Sequence, residues 1–192
     1  MAIARAGICV ELREVVLRDK PQALIDASPK ATVPVLVLPD GSVIDESFDI
    51  LLWALGINDP SDWLHGDHSD LVKMVAQNDG EFKKNLDGYK YPQWNTGKTH
   101  DEYRDDGARW LALLDKRLRS SKFLTGEAPS ALDIAIMPFI RQFAHTDLGW
   151  FEASPYTSLG RWLGFWKDSG LFLSVMHKNL QWQPGNSTLM FP

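Results

Sequence analysis

Residues Val33 to Leu38 run Val-Pro-Val-Leu-Val-Leu, with no polar side chain to break them. A continuous apolar run, unlike an alternating one, suits a strand covered on both faces inside an α/β layer. Pro39-Asp40-Gly41 supplies turn chemistry, because proline fixes φ and glycine tolerates positive φ. Ser42-Val43-Ile44 is long enough for a short return strand, and Asp45-Glu46-Ser47 puts oxygen-bearing side chains where the next helix begins. That helix carries Phe48, Leu51, Leu52 and Leu55 on one face, with Gly56 as its expected C-terminal cap. Pro34 is the exception within the run. Proline cannot donate to a sheet ladder, so at the start of a strand it marks an edge, a first residue or a cis bond.

The flanking segments extend this unit. Met1–Ala6 with Gly7 reads as the last turns of a helix ending on a glycine. Cys9–Leu17 alternates apolar and charged residues and reads as a strand; Pro21–Ala27 is a short helix. Asn58–Asp67 is polar and rich in breakers, as linkers are. Downstream of it no strand is expected. His68–Leu86 carries an interrupted helical pattern, Tyr89–Thr96 is an aromatic loop, and Asp101–Arg119 is a strongly amphipathic helix. Ser130–Ala144 is apolar almost all round, which predicts burial on all sides. Further short helices are expected around Leu159–Trp166 and Leu171–Met176, and the tail from Leu180 to Pro192 carries the turn Pro184-Gly185-Asn186. The order predicts an α/β domain over residues 1–57, a linker over 58–67 and an all-helical domain over 68–192.

Composition excludes several classes of function. The chain has 192 residues, 44% hydrophobic and 23% charged, enough for a sizeable core. A net charge of -5 with no basic cluster argues against nucleic acid or an anionic membrane as partner. No apolar stretch approaches the ~20 residues that span a bilayer. One cysteine, Cys9, cannot close an internal disulfide, which fits a reducing cytoplasm. His65 and His68 stand three apart without a third ligand, so no metal site is expected. There is no phosphate-cradling glycine loop and no G-x-S-x-G elbow.

Three motifs, in order, give the chain a resemblance. Val33-Pro34 looks like a strand-opening Val-Pro with a cis peptide. Asp45-Glu46-Ser47 looks like the acidic residue and serine that head a ligand-binding helix. Gly126-Glu127-Ala128-Pro129-Ser130-Ala131-Leu132-Asp133 looks like a glycine, Ser and Asp helix-capping box. Together they resemble the cytosolic glutathione transferase superfamily of bacterial type. The resemblance implies an α/β plus all-α fold, in which an incomplete thioredoxin-like domain precedes a glutathione transferase-type helical domain. It also implies glutathione as co-substrate, a small hydrophobic electrophile and a homodimer.

Each motif has a physical reading beside the family's. A cis peptide before Pro34 turns the Val33 N–H and C=O away from the sheet edge, free to bind an extended peptide; a trans proline merely starts a strand. Glu46 and Ser47 stand at a helix N-terminus, where free N–H groups and the dipole favour a carboxylate. Ser47 suits that carboxylate and Glu46 an ammonium, so the pair matches an α-amino acid terminus, although ordinary capping uses the same residues. In relatives the loop holding Lys30 meets the glycyl carboxylate; a solvated lysine reads equally well. For Ser130 and Asp133 the spacing predicts a structural box and a loss of about 1–2 kcal/mol for Asp133→Ala.

The family's activating Tyr, Ser or Cys follows its first strand, and Met1–Ile8 resembles the end of the helix that comes after. About 15–20 residues found in relatives are therefore expected to lie before Met1, and the catalytic residue is unknown. In the family that first strand lies between Cys9–Leu17 and Val33–Leu38, which then need direct pairing, a partner's strand or reorganisation. Cys9 reads as a small core residue in a buried strand. Tyr89, Tyr91, Trp94 and Tyr103 read equally as cleft or core residues. The expected function is conjugation or reduction with glutathione, the alternative a non-catalytic glutathione transferase-like binding protein.

Overall fold

Contacts divide the chain into two units: Met1–Ser61 with Gly170–Pro192, and Asp62–Ser169. The structure is a computed structural model that describes residues 1–94 and 97–192.

The first unit opens with helix α1 (Ala2–Ala6), which ends on Gly7 at a φ of 68°, as its sequence predicts. Strand β1 (Val10–Glu11) is shorter than the expected Cys9–Leu17. Its pairing is antiparallel to β4 (Met190–Phe191), a strand in the tail where none was expected, in the register Val10 to Phe191 and Glu11 to Met190. Beyond this ladder contact is intermittent: Leu12 N–H donates to Leu189 at 2.8 Å and Trp182 N–H to Glu14 at 2.9 Å. Between these two contacts the tail turns back, with Asn186 N–H on the Gln183 carbonyl at 3.0 Å and Gly185 at a φ of 91°. Of the pairings open to Cys9–Leu17, the chain uses its own tail.

Helix α2 (Gln22–Ala27) follows, and then β2 (Leu36–Val37) and β3 (Val43–Ile44) form an antiparallel hairpin. Gly41 closes its turn at a φ of 85°, donating to Leu38 at 2.9 Å. The run from Val33 is thus neither one long strand nor covered on both faces. With β3 as the only ladder partner of β2 among the described residues, Val37 and Val43 stay 54% and 41% exposed. Helix α3 (Ser47–Ile57) buries Ile50, Leu51, Ala54 and Leu55. Gly56 lies inside it and Asn58 is the cap, because Asn58 N–H still reaches the Ala54 carbonyl at 3.2 Å. The Asn58 side chain then donates to Ala6 at 2.8 Å, tying α3 to α1. Helix α10 (Gly170–Val175) also packs on α1.

The second unit is helical. The interruption expected in His68–Leu86 is real: α4 (His68–Gln77) runs into a π-helical turn at Asn78–Phe82 and then α5 (Lys83–Lys90). A π turn inserts one residue into a helix and so rotates the face that follows. A 3-10 turn at Pro92–Trp94 comes next; the end of the expected aromatic loop, Asn95 and Thr96, lies outside the described residues. Helix α6 (His100–Leu118) starts on a Thr99–Glu102 capping box that sequence reasoning overlooked. Helices α7 (Ala131–Ala144), α8 (Leu148–Ala153) and α9 (Thr157–Asp168) complete the bundle, α8 being unforeseen. Among the described residues no helix is long and apolar enough to cross a membrane.

Two buried carboxylates hold this bundle together. Asp115 on α6 accepts the Ser158 and Leu159 N–H groups at 2.9 and 3.1 Å, capping α9 from another helix. Asp133, 0% exposed, accepts Ser130 N–H at 2.9 Å and its hydroxyl at 2.6 Å on one oxygen. Its other oxygen accepts Leu124 N–H at 2.9 Å and the Trp162 indole at 2.7 Å. Burial pushes this carboxyl up while the four donors hold it down. Asp133→Ala therefore strips four donors at once, and we expect a loss of about 3 kcal/mol or more, above what a capping box alone implies. A denaturant midpoint within error of the wild type would contradict this.

Close packing adds a second test. A Cβ on Gly88 of α5 would lie 2.5 Å from the Tyr103 ring on α6. Gly88→Ala should cost about 1–3 kcal/mol despite alanine's higher helix propensity, measurable by thermal unfolding. Tyr89 is 1% exposed, with its ring 4.8 Å from that of Phe143. Burial, and next the Asp147 charge, push its phenol up to about 12. In an alkaline titration read at the tyrosinate absorbance, Tyr89 should stay protonated until that range is reached. Ionisation of all four tyrosines well below it would contradict the assignment.

Candidate functional site

In the first unit the residues singled out from the sequence lie on two loops and one helix start. The loop before β2 makes a tight turn, with Ala31 N–H on the Ser28 carbonyl at 2.8 Å and Ala31 in the left-handed region at a φ of 49°. A non-glycine residue there is uncommon and marks a loop held by its surroundings. Asp45, at the end of β3, is the holding group. It accepts the Ser28 hydroxyl at 2.9 Å and the Lys30 ammonium at 3.2 Å. Lys30 also donates to Glu46 at 2.7 Å.

These contacts set the electrostatics. The Ser28 hydroxyl first, and then Lys30, hold the Asp45 carboxyl below the usual carboxylate range. Glu46, followed by Asp45, pushes the Lys30 ammonium up. Lys30 is thus neither free nor buried: its side chain is 54% exposed between two carboxylates. Exposed pairs of this kind contribute little to stability and exchange partners readily.

The loop then leads into Val33-Pro34, whose peptide bond is cis. Val33 is 44% exposed, and neither its N–H nor its C=O takes a hydrogen bond among the described residues. Glu46, which Lys30 contacts, is also the N-cap of α3, and Ile50 N–H reaches the Glu46 carbonyl at 3.0 Å. The N–H groups of Ser47, Phe48 and Asp49 precede that first bond and have no helical acceptor. The Ser47 hydroxyl is exposed and makes no capping bond. An open backbone donor and acceptor, a free helix N-terminus with a hydroxyl, and a mixed-charge pair together suit an extended, zwitterionic peptide.

The structure joins Lys30 and Glu46 directly, while Val33-Pro34 and Ser47 hydrogen-bond to neither. Asp45 and Ser28 were overlooked as positioning residues; Asp45 adjoins Glu46, but the Ser28 contact crosses 17 residues and no local pattern announces it. Cys9 is exposed and precedes β1, so it is not the buried core residue expected, because the ladder starts only at Val10. Tyr89 and Tyr103 are buried in the helical unit at 1% and 6% exposure, whereas Trp94 is 74% exposed and stacks on Tyr91 at 4.9 Å. His65 is engaged on both ring nitrogens, by the Asp62 carbonyl in its own loop and by the Thr125 hydroxyl at 3.3 Å. Among the described residues no group of three or more His, Cys, Asp or Glu side chains could hold a metal ion.

Comparison with known proteins bears on the fold and the family. Residues 1–55 match the family model described as glutathione S-transferase, N-terminal domain, and residues 98–164 the one described as glutathione S-transferase, C-terminal domain. No curated protein matches the chain. Among solved structures, a ternary complex of BphK, a bacterial glutathione transferase, is similar at 20% identity and a TM-score of 0.78, over 91% of this chain and 90% of that one. A sphingomonad glutathione S-transferase complexed with glutathione is similar at 20% identity and 0.76, over 91% and 89%. A glutathione S-transferase domain-containing protein of Marinobacter aquaeolei VT8 is similar at 19% identity and 0.70, over 89% and 91%. The two family matches together take in more than half of the sequence, in the order that the motifs at Val33-Pro34, Glu46-Ser47 and Ser130–Asp133 imply. The chain belongs to the cytosolic glutathione transferase superfamily, with a thioredoxin-like first domain and a helical second one.

Proposed function

We propose that this protein binds glutathione on its first unit and directs the thiol at a small hydrophobic electrophile. The observation that carries the reading is the Val33 backbone beside Pro34, which has no ladder partner among the described residues. The cysteinyl residue of an extended tripeptide pairs with that backbone as an added strand would. Its γ-glutamyl carboxylate takes the Ser47 hydroxyl and the free N–H groups opening α3, and its ammonium takes Glu46. The glycyl carboxylate takes Lys30. The ligand's two charged ends thereby replace one exposed Lys30–Glu46 pair with two pairs of their own.

In the reaction the bound thiol loses its proton to solvent, its sulfur forms a bond to the electrophilic carbon, and the leaving group departs with the bonding electron pair. Reduction of a disulfide or peroxide by the same thiolate is the other chemistry this geometry suits. A second reading, binding without turnover, rests on a specific observation. All four tyrosines lie at or beyond residue 89, and in the first unit the Ser28 hydroxyl is committed to Asp45. The same reading takes the protein as a homodimer of the cytoplasm, in keeping with its single cysteine.

Calorimetry with glutathione tests the binding step. We expect saturable binding, weakened about tenfold by Ser47→Ala, as loss of one hydrogen bond to a carboxylate implies. No binding heat, or an affinity indifferent to Ser47→Ala, would overturn the site. Conjugation of 1-chloro-2,4-dinitrobenzene above the uncatalysed rate selects the enzyme; glutathione binding without it selects the binding protein.

A further inference from the structure

The helical unit carries a cavity of about 580 Å³, open to solvent, between α5 and α6, of a size that accepts small ligands. Asn85 and Tyr103 line it, and each is only 6% exposed. Neither the Asn85 amide nor the Tyr103 hydroxyl has a hydrogen-bond partner among the described residues, and neither is sealed inside the protein. Both groups open onto this space, where they can exchange solvent for the polar groups of a ligand. Gly88 makes this floor possible: with no Cβ, α5 lets the Tyr103 ring lie against its backbone.

The cavity's charges are arranged with both signs available. Arg109 donates to Asp106 at 2.8 Å and Lys98 pairs with the other oxygen of the same carboxylate, so these three groups largely satisfy one another. Glu81 and Lys84, one helical turn apart, also line the cavity and have no ion pair or hydrogen bond among the described residues. One unpaired acid, one unpaired base, an amide and a phenol complement a ligand that carries an ammonium, a carboxylate and peptide-like polar groups between them.

We infer that this cavity is a second binding site, independent of the one at Val33 and Ser47, for an amino acid or short peptide in its zwitterionic form. Glu81 takes the ammonium, Lys84 the carboxylate, and Asn85 and Tyr103 the amide groups between. The π turn at Asn78–Phe82 carries Glu81, and α5, which follows it, carries Lys84 and Asn85 toward the same space.

Triglycine is a suitable probe, since it has both termini but neither a thiol nor a γ-glutamyl group. Titrated into the isotopically labelled full chain, it should shift amide resonances of α5 and the first half of α6. Glu81→Gln and Lys84→Ala, both at exposed positions, should each weaken it at least about fivefold, and N-acetylated triglycine should be weakened similarly. Either variant that binds as tightly as the wild type overturns the assignment, as does equal affinity for the acetylated probe. Shifts centred on Val33 and Ser47, or none at about 20 mM probe, also overturn it.

Discussion

The Asp133 carboxylate is the point on which the helical unit depends. It lies at 0% exposure, and its two oxygens take four donors from three places: the first turn of α7, the Leu124 loop and the Trp162 indole on α9. A buried charge is costly unless it is fully hydrogen-bonded, and once satisfied it specifies a single arrangement. The capping box thus does more than start a helix, because it fixes where α9 lies against α7. Asp115 does the same between α6 and the start of α9. With those helices set, the rest of the core is apolar filling around Leu111, Leu114, Ile136 and Met137.

The α5–α6 region shows the complementary use of polar groups. There Gly88 lets Tyr103 lie on the α5 backbone, but the phenol and the Asn85 amide remain open. Where Asp133 is closed by the chain itself, these groups face a cavity. In the first unit the Val33 backbone is likewise open, while Ser28 and Asp45 hold the loop before it. In both units the groups left open are those flanked by well-satisfied ones.

Much of the candidate site was readable locally. Val33-Pro34, Glu46 and Ser47 are each recognisable from one or two residues, since proline at a strand start and a serine at a helix start are short-range signals. Most of the helices, α8 excepted, were readable for the same reason, their apolar period being a local property. The strands were not. Val33–Leu38 was expected to be covered on both faces, yet a run of apolar residues does not say what covers it, and Val37 remains more than half exposed. Lys30 could not be placed either, because its partners lie 15 and 16 residues away.

The sequence by itself determined most of the helices, the family motifs and the capping chemistry at Ser130–Asp133, all of which rest on neighbours within one or two turns. Only the tertiary structure decided that β1 pairs with the tail at Met190–Phe191, that Ser28 and Asp45 position Lys30, and that Asn85 and Tyr103 share a cavity. These pairings join residues from 15 to about 180 positions apart. They are selected by which unpaired donors, acceptors and apolar faces remain once the local elements have formed, and that remainder is a property of the packed chain.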